Sequence, residues 1–155
     1  MRRVDTIYSA IGRFVVAWSD LEYCLDLLVL SARDRSSQPE IPHQLDDKLK
    51  FLKDSVKRRP ELAPFAEAIN KLSADIRAVK DGRHDYVHGT IIDMTEEARP
   101  MVVTLHRLLQ PSKKLRRPPL KITGHQINSA ADDAHRLADR ALDMAEAVRK
   151  PPQLN

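Results

Sequence analysis

The chain has 155 residues, 42% hydrophobic and 31% charged, with a formal charge of +4 and a pI near 9.3. That length suits one domain, 1–155, able to bury roughly 70% of the surface its unfolded chain would expose, while the single cysteine, Cys24, excludes an internal disulfide and any Cys-based zinc site. Asp5, Asp20, Glu22 and Asp26 interrupt the N-terminal apolar region. No run approaches the ~18 residues of a membrane span or the form of a signal peptide, so a cytoplasmic protein with no membrane partner is expected.

Val4, Ile7, Ile11, Phe14, Trp18, Leu21, Leu25 and Leu28 alternate in steps of three and four, which predicts a helix over about residues 4–33. Ser36, Ser37, Gln38, Pro39 and Pro42 break it. A second helix carries Leu45, Leu49, Leu52 and Val56 and stops before Pro60. The third carries Leu62, Phe65, Ile69, Leu72, Ile76 and Val79, and its phase continues through Arg83 and Tyr86 until Gly89 ends it. Residues 90–94 and 101–108 are short and β-branched, separated by a polar turn containing Pro100, and read as a hairpin to which 120–122 adds a third short strand. Thr123 with Gln126 forms a capping box for a last helix whose apolar face is Ile127, Ala130, Ala134, Leu137, Ala141, Met144 and Val148. The tail 150–155 should be loose. The fold class is therefore all-α: an up-and-down bundle of about four helices with a small β-hairpin insertion over about residues 90–122.

Two basic runs suit an anionic partner. Lys57, Arg58 and Arg59 end the second helix, and Lys113, Lys114, Arg116, Arg117 and Lys121 crowd a Pro-rich loop. The plainer reading of each is a solvated helix end or loop. No aromatic residues interleave with them, so a base-stacking platform is not indicated.

The richest chemistry lies in Arg83-His84-Asp85-Tyr86-Val87-His88, closed by Gly89 at the end of the third helix. Arg offers a permanently charged fork matched to phosphate oxygens, and the unperturbed pKa of His lets it exchange protons near neutral pH. Arg83 with His84 beside it, and four residues between Arg83 and His88, resembles the motif of the HEPN superfamily (higher eukaryotes and prokaryotes nucleotide-binding). The family's helical bundles carry an Arg, a polar neighbour and a His four to six residues beyond. Residues 12–22, Gly-Arg-Phe-Val-Val-Ala-Trp-Ser-Asp-Leu-Glu, are also similar to the first helix of small bacterial members. Asn or Asp is the more familiar neighbour of the Arg, and His84 departs from that while remaining polar.

The resemblance implies an endoribonuclease without metal or other cofactor, toxin or defence related, acting where two copies of the motif face each other. RNA substrate, a homodimer and a protein antitoxin are the partners it implies. The chemistry agrees, because RNA carries its own nucleophile in the 2′-hydroxyl and a site need only hold phosphate, stabilise its charge and move protons. His88 would act as general acid or base, Arg83 would hold the phosphate, His84 would support the proton transfer and Asp85 would orient a histidine. Five residues on a helix turn through about 140°, so Arg83 and His88 do not share a face unless the last turn unwinds or a second chain completes the site.

Other readings stand beside it. Arg83 could pair with a carboxylate, Glu22 being the candidate, and His88 could cap the last carbonyls of its helix, leaving a catalytically inactive dimeric interaction module. Tyr86 and Trp18 read as packing residues. His84 and His88, at i and i+4, resemble the zinc-protease motif with Asp for Glu, and His43, His84-Asp85 and Asp132 follow the order of HD-type phosphohydrolases. Either alternative would require a metal.

Overall fold

The computed structural model describes residues 3–34, 40–95, 101–106 and 119–150. The chain is an all-α bundle with a small β insertion: α1 (Arg3–Ala32), α2 (Leu45–Arg58), a 3-10 helix (Pro60–Phe65), α3 (Ala66–His88), strands β1 (Thr90–Thr95), β2 (Val102–His106) and β3 (Leu120–Thr123), and α4 (Gly124–Arg149). No helix among the described residues is long and apolar enough to cross a membrane. Contacts group the chain into two compact units, one of Met1–Trp18 with Val79–Ala134 and the other of Ser19–Ala78 with His135–Asn155.

In the first unit, the start of α1 buries Ile7, Ala10, Phe14, Ala17 and Trp18. The three strands pair antiparallel in the order β1-β2-β3. Val103, Leu105 and Ile122 are buried, with Val103 opposite Ile122, so β2 follows the period of two that a one-sided sheet requires. The β1 register slips between Ile91 and Asp93, and Ile92, the extra residue, is turned out to 55% exposure. The expected capping box is formed: Gln126 Oε1 accepts from Thr123 N at 2.9 Å, and Thr123 Oγ1 accepts from Gln126 N at 3.3 Å. Arg13 bridges to Asp132 and, at 3.4 Å, to Asn128, tying α1 to α4 on an exposed side.

In the second unit, α1 contributes Leu21, Leu25, Leu28, Val29 and Ala32 to the core, α2 contributes Leu49 and Leu52, and α3 contributes Ile69, Leu72 and Ile76. Each such Leu or Ile stabilises the fold by about 1.5–3 kcal/mol relative to exposure. The third segment does not start as one helix. Leu62 N donates to Arg59 O at 2.9 Å, a 3-10 pattern over Pro60–Phe65, because Pro64 has no N–H with which to continue an α-helical ladder. Leu62 remains buried within it.

Two polar contacts here were not anticipated. Lys48 is buried at 7% exposure on α2, and its Nζ lies 2.5 Å from Asp26 Oδ1 on α1. Arg59, expected to belong to a solvated basic run, instead donates from Nη1 to the carbonyls of Ala32 and Arg33 at 2.9 and 3.0 Å and from Nε to Glu61 at 2.8 Å. It thereby satisfies orphan carbonyls at the end of α1. Backbone and Arg59 hydrogen bonding hold the Glu61 carboxyl below its ordinary pKa. Lys57 and Arg58 are exposed, as expected.

The buried face of α4 is wider than the periodicity predicted. Ala131, Ala138 and Ala145 are buried with Ile127, Ala134, Leu137, Ala141 and Val148, whereas Ala130 and Met144 are half-buried. Alanine allows close helix approach without large volume, so several adjacent positions can turn inward together. The break at 36–39, Pro100, residues 107–108, the tail 151–155, and Lys113, Lys114, Arg116 and Arg117 of the basic loop lie outside the described residues.

Candidate functional site at the end of α3

The third helix remains α-helical through His88, and Gly89 N then donates to Asp85 O at 2.9 Å. Gly89 is required by close approach. A Cβ there would collide with the Asp85 carbonyl oxygen and lie 3.3 Å from Leu105 Cβ on β2. Glycine thus lets the chain pass directly from α3 into β1, and holds the motif against the sheet.

Within the motif, Arg83 is half-buried and its guanidinium carbon lies 5.8 Å from the centre of the Trp18 ring. Trp18, 3% exposed, is a packing residue as expected, and Phe14 sits beside it with ring centres 6.1 Å apart. Tyr86 packs edge-on against Phe14, with ring centres 4.9 Å apart at 88°. Burial, and to a lesser degree the Asp85 charge, raise the Tyr86 hydroxyl above its ordinary pKa. Tyr86 is therefore a half-buried packing residue against α1, as expected.

His84 and His88, one helical turn apart, bring their rings together with centres 5.8 Å apart and planes at 36°. His84 is half-buried and His88 exposed, so the pair runs from the core edge to solvent. Asp85 is half-buried and supplies the carbonyl that ends the helix. Glu22 is half-buried on α1, one turn beyond Trp18. The arrangement brings together a cation anchored on an aromatic face and two adjacent imidazoles.

Comparison with protein-family models, with curated proteins and with solved structures finds no match to this chain. Geometry and chemistry therefore carry the functional reading.

Among the described residues no group of three His, Cys, Asp or Glu side chains gathers where it could hold a metal ion. The His84–His88 pair has the spacing of two ligands, but a third is not assembled beside it. Asp132, which would complete the HD-type order, is engaged by Arg13, and His43 is exposed ahead of α2. Cys24 is half-buried, with its thiol pKa raised by burial and then by the charges of Asp20 and Asp139. A raised pKa opposes a nucleophilic role.

The partner of Arg83 was only partly legible in the sequence. Both Trp18 and Arg83 fall on apolar stripes, which was the available signal, but stripe membership does not say which residues of two helices meet.

Proposed function

We propose that this protein is a metal-independent endoribonuclease of the HEPN type, acting on RNA phosphodiesters at a site that two copies of the chain complete. The observation that carries the reading is the unbroken α-helix through His88, which leaves Arg83 and His88 about 140° apart on one chain while holding both at one helix end. With the last turn intact, a second copy is the route by which guanidinium and imidazole reach one phosphate.

In this reading Arg83 binds a non-bridging phosphate oxygen and offsets charge in the transition state. An aromatic face engages the π surface of a guanidinium and leaves N–H edges directed in its plane, so contact with Trp18 and phosphate binding are compatible. One His88 takes the 2′-hydroxyl proton as that oxygen attacks phosphorus. The P–O5′ bond breaks, and the departing 5′ oxygen takes a proton from water. The products are a 2′,3′-cyclic phosphate and a 5′-hydroxyl end. His84, beside His88 on the next turn, restricts its ring and supports the transfer. A toxin or defence role, with a protein antitoxin as a further partner, belongs to the same reading.

A second reading has its own observation. Arg83 lies over Trp18 with its Nε buried, a placement that also suits a structural cation in an inactive dimeric module. Incubating the purified chain with single-stranded RNA in EDTA separates the two. Cleavage leaving cyclic phosphate ends is expected. Intact RNA under these conditions, or cleavage that needs added metal, would reject the nuclease.

A further inference from the structure

The first unit contains a second apolar row on α1, turned away from its core. Tyr8 is 57% exposed and Val16 59%, with Val15 at 39% beside them. Tyr8, Gly12 and Val16 are spaced four apart, the spacing of one ridge on a helix surface. Between Tyr8 and Val16 this row carries no charge. Arg13, the one charged residue in that stretch, is directed elsewhere, to Asp132.

Gly12 is the second observation, independent of the exposed side chains. A glycine inside a helix weakens folding about five-fold relative to alanine. Nothing among the described residues explains it: a Cβ built at Gly12 meets no atom within 4 Å. A helix-interior glycine with open space before it is what close approach by another backbone requires.

We infer that residues 8–16 of α1 are the crossing point of a helix pair formed by two copies of this chain, with Gly12 against Gly12. A two-fold axis through Gly12 sets Tyr8 of each copy against Val16 of the other, so the row is complementary to itself, large beside small and without facing charges. Rows spaced by four that interdigitate cross at about 50°, and the missing side chain at the centre lets the two backbones draw together. The Tyr8 hydroxyl can remain at the wet rim. An RNA would find no cation on this row. The inference rests on the dimer in the proposed function and assigns that dimer a surface.

Sedimentation velocity on the full chain tests it. Wild type is expected to be a dimer at micromolar concentration. Gly12→Leu should melt no lower than wild type when both are dilute, since leucine favours helix and its Cβ starts into open space among the described residues, yet weaken dimerisation roughly 100-fold, as loss of a central interface contact does. Val16→Arg, at an exposed position, should weaken it similarly and guards against misfolding of the first variant. A monomeric wild type, or a Gly12→Leu variant that folds and still dimerises like wild type, overturns the inference. In the latter case RNA cleavage by that dimer would leave the nuclease reading standing. Conversely, loss of the dimer in both variants without any RNA cleavage by wild type supports the interface and rejects the nuclease.

Discussion

Arg83 is where a structural and a catalytic role make different demands on one side chain. An ammonium can keep part of its contact with Trp18, whereas a two-pronged grip on phosphate needs a guanidinium. Arg83→Lys should therefore change the melting temperature little and reduce RNA cleavage at least ~10-fold, because an ammonium cannot reproduce the fork. Arg83→Ala should cost about 1–2 kcal/mol by losing the aromatic contact and abolish cleavage, as urea titration beside the RNA assay would show. Equal activity in wild type and Arg83→Lys would remove Arg83 from phosphate binding. Tyr86 makes a separate, pH-dependent prediction. Its pKa is raised in the fold, so its contribution to stability is complete below the unfolded value, near 10, and is lost as pH rises through the higher folded value. Tyr86→Phe keeps the ring against Phe14 and should flatten the loss of stability above about pH 10, as followed by thermal melts. An unchanged alkaline profile would mean that the hydroxyl is not held in a buried setting.

At the scale of single elements, the buried Lys48 sets two helices of the second unit against each other through Asp26. The pair is unequal: the Lys48 side chain is 9% exposed and that of Asp26 41%. Asp26→Ala strands a buried ammonium and should cost about 3 kcal/mol, while Lys48→Met removes the buried charge, leaves Asp26 to water and should be nearly neutral. Equal losses for the two variants in denaturant titration would contradict this asymmetry. Sequence reasoning could not foresee the pair, because Lys48 carries the same charge as its exposed neighbours and only burial distinguishes it. What depends on local chemistry was legible: the Thr123–Gln126 box, the stop before Pro60, and the strands on either side of the polar turn. The 3-10 start at Pro60 was missed because Leu62 and Phe65 keep the helical phase, and periodicity does not see the N–H that Pro64 lacks. The α4 face was read one residue too narrow for a related reason, since alanine marks buried and exposed positions with equal ease.

For the whole molecule, spacing of apolar residues was enough to give the helices, the small sheet and their order, because burial imposes periods of 3.6 and 2 on any chain that folds this way. It could not say what covers the outward row on α1. A period shows that a face is apolar but not what covers it, and Gly12 becomes informative only when the space before it is seen to be open. The same limit applies to the site. The apolar phase placed Arg83, His84 and His88 on one helix, and the structure adds that the last turn stays α-helical through His88, leaving Arg83 and His88 about 140° apart. Mixing two inactive variants tests the proposed two-chain site most directly. Arg83→Ala and His88→Ala should each be inactive alone. After subunit exchange, the mixed dimer has one site with both residues intact, so about a quarter of wild-type cleavage should return for random two-fold pairing. A mixture as inactive as its parts, beside an active wild type, would contradict a site built from two chains.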